Sequence, residues 1–145
     1  MNSSNLVDWS RTHAEARVPT KGTHGSAGYD LFAIESVTLQ PGKNIIDTHV
    51  RIAMGKGYYG HICPRSGLAF NHSISVLGGI VDFDFRGSIK VMLYNPNDYS
   101  VPIPKGQAIA QILFLPCINN IEFHEVDELS STERGSGGFG STDKK

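Results

Sequence analysis

Residues 76–91 read VLGGIVDFDFRGSIKV, and they place two carboxylates, Asp82 and Asp84, inside a segment with the composition of a β-hairpin. Residues 77–81 and 88–93 are rich in strand-forming side chains, and the Asp and Gly residues between them are typical of a turn. The segment therefore predicts a β fold that carries acidic groups at a turn.

Asp82 occupies the point where the first arm enters this turn. Because Val81 and Phe83 flank it, we expect its carboxylate to lose part of its water, which raises its basicity. Arg86 or a bound cation would act in the opposite direction. Asp82 is a candidate general base. The alternative is that Asp82 and Asp84 only hydrogen-bond the turn backbone, as aspartates in turns commonly do.

The composition favours one all-β domain. The chain has 145 residues, enough for a hydrophobic core, with 16 Gly and seven Pro. Short apolar runs separated by turn residues are typical of strands, and no long stretch has the helical period. The net charge of -1 and the pI near 6.6 give no electrostatic basis for a nucleic-acid or membrane partner. Any anion site must therefore be local.

The cysteines and histidines form no recognisable metal motif. Cys63 and Cys117 lack CxxC spacing, and the six histidines are scattered. We expect two reduced thiols in a reducing compartment. Residues 1–13 lack an apolar segment of signal-peptide length, and residues 108–118, the most apolar run, are too short to span a bilayer. These features predict an intracellular protein of the cytoplasm or nucleus.

Alternating apolar and turn residues predict strands along the rest of the chain. The predicted strands are residues 6–10, the apolar part of 26–33, and residues 36–39, 44–46, 50–54, 58–63, 107–115 and 121–126.

Four polar residues elsewhere are further candidates. Asp30 has apolar neighbours, so we expect it to be partly buried with a partner. Arg65 and Ser66 lie in the predicted turn 64–69, where they and free N–H groups can converge on an oxyanion. Gln111 interrupts a buried apolar run and needs hydrogen-bond partners. Taken singly, each is also compatible with a purely structural or solvated role.

The last segment, residues 130–145, has the composition of a flexible linker. Phe139 nevertheless lies between glycines, near Arg134, Ser141 and Thr142. Glycine N–H groups, hydroxyls and guanidinium groups bind phosphates, and an isolated ring can stack on a base. This mixture suits an arm that becomes ordered on a nucleotide.

Together, five segments resemble, in order, the motifs of the trimeric deoxyuridine triphosphatases (dUTPases). They are residues 26–30 (SAGYD), 64–67 (PRSG), 79–87 (GIVDFDFRG), 106–111 (GQAIAQ) and 134–142 (RGSGGFGST).

The resemblance implies a β jelly-roll homotrimer whose active sites are each built from several subunits. Residues 1–129 would form the barrel, and residues 130–145 would form a flexible arm that closes over the nucleotide. The implied reaction is hydrolysis of dUTP to dUMP and pyrophosphate with Mg²⁺. It limits uracil incorporation into DNA and supplies dUMP for dTMP synthesis.

The resemblance also implies roles for individual residues. Asp82 would take a proton from the water that attacks the α-phosphorus, and Gln111 would help to hold that water. Arg65 and Ser66 would line the phosphate chain, and Asp30 would act indirectly. No residue would bind the metal directly, because Mg²⁺ prefers phosphate oxygens and water.

The other residues implied to bind substrate can be given in chain order. In the barrel, Gly67 lies beside the phosphate-binding turn, and the main chain of Gly79 and Ile80 would pair with the uracil edge. Phe85 would lie under the sugar, and Lys90 lies on the returning arm. In the tail, Arg134 would meet the terminal phosphate, Phe139 would cover the uracil, and Gly140, Ser141 and Thr142 would close over the phosphates.

The sequence departs from the family pattern at three positions. Phe85 replaces a usual Tyr, Lys90 replaces a common Gly, and Ala108 replaces an Arg that often precedes Ile-Ala-Gln. None of the three removes Asp82 or Gln111, so activity is expected, with altered affinity or discrimination.

Two other function classes share the fold. The related dCTP deaminases have a catalytic Glu after this segment, and residues 86–95 contain none. The second class is a non-catalytic regulatory or interaction protein, against which the intact catalytic positions argue.

Overall fold

The computed structural model describes residues 5–140, which form eleven β-strands and one short helix. In chain order these are β1 (Asp8–Arg11), β2 (Tyr29–Phe32), β3 (Val37–Leu39), β4 (Gly42–Asp47), β5 (Val50–Ala53), β6 (Tyr58–Cys63), α1 (Ser66–His72), β7 (Ser75–Leu77), β8 (Ile80–Val81), β9 (Lys90–Asn95), β10 (Val101–Ile103) and β11 (Ala108–Pro116).

The strands form four antiparallel groups around one core. The largest has the order β2-β11-β6-β8, a second has the order β4-β9-β7, and two pairs consist of β1 with β5 and β10 with β3. Leu31 and Ile112 from the first group and Val91 and Leu93 from the second are almost completely buried. The predicted all-β, jelly-roll-like fold is confirmed.

The helix α1 corrects the prediction of a turn at residues 64–69. It has only seven residues and ends at Ser73, which adopts a left-handed φ of 57° and donates its N–H to Ala69 O. Two turns of helix are too short to produce a helical hydrophobic period, and Leu68 is its only buried residue. The turn prediction was therefore wrong beyond Arg65.

The hairpin prediction for residues 76–91 also needs correction. The outgoing arm (residues 79–82) pairs through β8 with β6, whereas the returning arm (residues 86–90) leads into β9, which pairs with β4 and β7. The predicted hairpin is present at its base, where Leu77 of β7 pairs with Met92 of β9. Beyond Gly78 the two arms belong to different sheets, so they splay apart instead of pairing with each other.

Residues 117–140 contain no strand. The predicted strand at residues 121–126 was wrong for a single protomer, in which Phe123 and Leu129 are almost fully exposed. No helix within residues 5–140 has the length and apolar character needed to cross a membrane.

Candidate active site

Three of the predicted polar residues meet on neighbouring strands, and we call them the Gln111 cluster: Asp30, Arg65 and Gln111. In the sheet register Gln111 lies between Asp30 of β2 and Cys63 of β6. Arg65 follows β6, and its Nη1 lies 2.8 Å from Asp30 Oδ1. The Asp30 side chain is 13% exposed and that of Arg65 is 40% exposed. The expected partial burial and partner of Asp30 are therefore present.

The amide of Gln111 is held in one orientation. Its Nε2 donates a 2.9 Å hydrogen bond to Pro64 O, and its Oε1 faces Gly28. A Cβ at Gly28 would lie 2.3 Å from that oxygen, so only glycine fits there. Gly28 was not among the predicted site residues. The sequence signal was its place in the motif at residues 26–30, among small residues before Tyr29.

A cavity of about 450 Å³, the inter-arm pocket, lies where the outgoing and returning arms splay. Gly79, Ile80 and Asp82 line one side, and Ser88 and Lys90 line the other.

The outgoing arm is fixed to β6 by its main chain. Ile62 N donates a 2.7 Å hydrogen bond to Gly79 O. Gly79 has a φ of +97°, and a Cβ there would lie 2.8 Å from Ile62 O. Glycine is therefore required at this position by both conformation and space.

Asp82 is exposed, which corrects the expectation that Val81 and Phe83 would desolvate it. Arg86 does not offset its charge by pairing, because its Nη1 donates to Phe83 O at 2.6 Å and to Phe85 O at 3.2 Å. The ion pairs formed within residues 5–140 do not include Asp82. Its carboxylate is thus free to meet a water or another molecule.

The Phe85 ring closes the turn end of the inter-arm pocket. It folds against Gly87, where an added Cβ would lie 2.5 Å from the ring Cζ. Just under half of the residue is exposed, so part of it remains accessible to a ligand.

Asp82 and Gln111 do not meet within one protomer. Val81 is the register partner of Gly60, and Gln111 is the register partner of Cys63. Gly60 and Cys63 are separated by roughly 10 Å along β6, and Asp82 lies beyond Gly60. One water molecule cannot bond both side chains of the same chain.

The tail residues form local turns. Arg134 Nε donates a 2.7 Å hydrogen bond to Gly137 O, and Phe139 is fully exposed. Neither contacts the Gln111 cluster or the inter-arm pocket, and Gly140 is likewise exposed. Ser141 and Thr142 lie outside the described residues.

Within residues 5–140, no group of three His, Cys, Asp or Glu side chains is arranged to chelate a metal. The Asp30 carboxylate retains oxygen lone pairs beside Arg65.

Comparison with known proteins shows which family the chain belongs to. A sequence model of one family, dUTPase, matches residues 14–143. The chain belongs to the dUTPase family.

Relatives named deoxyuridine 5'-triphosphate nucleotidohydrolase match most of the chain. The Candida albicans protein is 42% identical over 90% of this chain and 83% of its own, and the Mus musculus protein is 44% identical over 92% of this chain and 83% of its own. The fold matches a solved Staphylococcus bacteriophage 80alpha dUTPase, a G164S mutant with dUpNHpp, with a TM-score of 0.85 and 27% identity, covering 95% of this chain and 98% of that one.

One departure from the dUTPase pattern has a structural counterpart. Ala108 pairs in register with Phe32, and the Arg17 guanidinium lies 3.7 Å from the centroid of that ring. Arg17 Nη1 also donates to Gly106 O at 3.4 Å. A cation therefore lies beside the start of β11 although residue 108 does not supply it.

Proposed function

We propose that the protein hydrolyses dUTP to dUMP and pyrophosphate at sites shared between the subunits of a homotrimer. Membership of the dUTPase family, with Asp82, Arg65 and Gln111 all present, supports the reaction. The observation that carries the shared site is the separation of Asp82 and Gln111 along β6. A second chain must bring its own Asp82 to the Gln111 cluster for both to act on one water.

Asp82 is the general base. Its carboxylate accepts a proton from a water while the water oxygen forms a bond to the α-phosphorus, and the bond to the leaving pyrophosphate breaks. Gln111 orients this water: one N–H of Nε2 donates to Pro64 O and holds the amide in place, and the amide keeps a second N–H and Oε1 for the water. The exposure of Asp82 in one protomer suits a role at a subunit interface.

Arg65, Ser66 and Gly67 bind the phosphate chain. The guanidinium has five N–H donors, so Arg65 can keep its bond to Asp30 and still donate to phosphate oxygens. Asp30 holds Arg65 in place and is a positioning residue. Ser66 and Gly67 open α1 and are exposed to solvent, where a triphosphate can reach them.

The inter-arm pocket binds the base and the sugar. Main-chain groups at Gly79 and Ile80 pair with the uracil edge, and cytosine is rejected because it presents a donor where uracil presents an acceptor. Phe85 lies beneath the sugar and leaves no room for a 2′-hydroxyl. Lys90 adds a side chain at the returning arm.

Mg²⁺ fits as a cation held by substrate phosphates and water. Because Mg²⁺ prefers those ligands, it does not require a cluster of protein carboxylates. Asp30 would act on the water shell of the ion. When bound, the ion neutralises charge on the triphosphate.

The tail completes the site from another subunit. Arg134 meets the terminal phosphate, Phe139 covers the uracil, and Gly140 with Ser141 and Thr142 closes over the phosphates. Phe139 is fully exposed, so its ring is free to stack on the uracil of a bound nucleotide. This assignment divides the chain into a barrel, residues 1–129, and an arm, residues 130–145.

As an enzyme of nucleotide pools, the protein acts in the cytoplasm or nucleus.

A pyrophosphate-release assay against dUTP, dCTP, dTTP and UTP tests this function. We expect release from dUTP alone among the four, and Asp82→Asn to reduce turnover by roughly 10²–10⁴ with dUTP affinity retained. Asp84→Asn, at the exposed acid two residues on, is the matched control. Conversion of dCTP to dUTP would assign a deaminase, and binding without hydrolysis would assign a regulatory protein.

A further inference from the structure

The corner between β4 and β5 binds the returning arm of the inter-arm pocket. Thr48 Oγ1 donates a 2.7 Å hydrogen bond to Ile89 O, and Ile89 N donates to Val50 O at 2.8 Å. Thr48 and Ile89 are almost completely buried. Arg51 Nε donates to Arg86 O at 2.6 Å. The returning arm is therefore fixed to this corner, independently of the outgoing arm.

Asp47 extends the attachment to the pocket wall. Its Oδ1 accepts hydrogen bonds from Ser88 Oγ and, at 2.8 Å, from His49 N. His49 has a left-handed φ of 58°, so this second bond also holds the tight link between β4 and β5. Partial burial acts to raise the pKa of Asp47, but the Ser88 and His49 hydrogen bonds and the nearby His49 and Lys90 charges outweigh it and lower the pKa.

Asp47, Ser88 and Lys90 face the same pocket. Along β9, Val91 is fully buried in the core, so Lys90 points to the opposite face, where Met92 also lines the pocket. Asp47 is the register partner of Lys90 across β4 and β9. The wall opposite the outgoing arm therefore contains a carboxylate that is fixed by hydrogen bonds on both sides.

We propose that Asp47 is a positioning residue for base recognition: through Ser88 it sets the distance between the returning arm and the outgoing arm. The inference rests on the proposed function, because it takes the inter-arm pocket as the base site. The outgoing arm is held to β6 through Gly79. In the returning arm, Asp47 holds Ser88, the residue that faces the pocket beside the anchored main chain of Ile89. The width of the slot thus depends on two anchors on separate sheets.

The chemical consequence concerns the 5-methyl group of thymine. A slot of fixed width excludes that methyl by steric clash, whereas an arm released from Asp47 can move outward and admit it. Loss of the hydrogen bond between Asp47 and Ser88 should therefore have two effects at once. It weakens uracil binding, and it lowers the preference for dUTP over dTTP. The reacting phosphorus is bound at the Gln111 cluster, so turnover at saturation depends little on this anchor.

The test compares Asp47→Ala, Ser88→Ala, the double variant and Asp47→Asn. Asp47→Ala and Ser88→Ala should each raise KM for dUTP by roughly tenfold, the scale of a hydrogen bond to a charged group, with kcat nearly unchanged. The double variant should match Asp47→Ala, since that variant already lacks the bond between Asp47 and Ser88. Asp47→Asn retains Oδ1 as an acceptor and should restore most of the affinity and the dUTP preference.

Asp98→Ala, at an exposed acid on the loop before β10, is the control and should leave KM unchanged. Calorimetric titration with dUMP gives a readout independent of turnover and should show the same loss of affinity. Unchanged KM and dTTP discrimination in Asp47→Ala and Ser88→Ala, with an active wild-type enzyme, would overturn the inference alone. An inactive wild type that does not bind dUMP would overturn the proposed function as well.

Discussion

Arg65 and Asp30 form an ion pair of 2.8 Å that joins the segment after β6 to β2, directly beside Gln111. The carboxylate is the more buried partner, so it fixes the guanidinium and not the reverse. In the proposed role of Arg65, a guanidinium that is already held before substrate binds loses less conformational freedom on binding phosphate.

Asp30→Asn should therefore lower kcat/KM for dUTP by roughly 10–10²-fold, because Arg65 loses the negative charge that orients its guanidinium. Steady-state kinetics measure this loss, and a thermal melt should show a folded trimer. Glu15→Gln removes the negative charge from the exposed 3.4 Å pair with Lys105 and should change neither value. Equal kinetics for Asp30→Asn and wild type would show that Arg65 needs no anchor.

Gly28→Ala should reduce turnover by roughly 10²-fold, because the new Cβ displaces the Gln111 amide that orients the water. The matched control is Gly25→Ala, where an added Cβ would meet nothing within 4 Å. In a Gln111→Ala background the Gly28→Ala change should cost little further activity. A full additional loss in that background would mean that Gly28 acts on another group.

Phe85→Tyr should preserve the preference for dUTP over UTP, whereas Phe85→Ala should relax it, because the ring excludes the 2′-hydroxyl by shape. The ratio of kcat/KM for the two substrates is the measurement. If all three proteins discriminate equally, the ring does not lie beneath the sugar.

A chain ending at Leu129 should remain a folded trimer of nearly unchanged thermal stability but lose most hydrolysis. Ordering the tail costs roughly 1–2 kcal/mol per residue. Phosphate contacts and a base stack worth roughly 1–3 kcal/mol offset this cost only when substrate is bound.

Mixing the truncated chain with Asp82→Asn chains extends this test. Neither homotrimer should be active, but mixed trimers that combine an intact Asp82 with an intact tail should recover part of the activity. Confirmed subunit exchange without any recovery would show that sites are not shared between chains.

The sequence predicted those strands whose side chains alternate clearly. β6 has the predicted bounds, Tyr58–Cys63, because its buried Gly60 and Ile62 alternate with less buried residues. The short helix α1 was missed because it buries only Leu68 and has no side-chain hydrogen bond at its N-cap.

Local pattern predicted only part of the strand pairing. Residues 76–91 have hairpin composition, and the base of the hairpin forms between β7 and β9. Beyond Gly78 the outgoing arm pairs with β6 and the returning arm leads into β9, which also pairs with β4, and both of these partners lie far away in the chain. The same non-local pairing explains why Asp82 is exposed although its sequence neighbours are apolar.

Sequence motifs predicted most residues of the candidate site but not the residues that hold them in position. Asp30, Arg65 and Gln111 were predicted, and the structure brings them together. Asp47 was not predicted, since its partner Ser88 lies on a separate strand connection and no motif joins the two.

Under the proposed function, the separation of Asp82 and Gln111 along β6 would make catalysis a property of the assembly. A dissociated protomer would contain both side chains and still lack a complete site. Turnover per chain should then fall on dilution below the dissociation constant of the trimer, with the steep dependence of a third-order equilibrium. The activity per chain would thus depend on the concentration of the enzyme. A cell that makes very little of the enzyme would have disproportionately little hydrolysis.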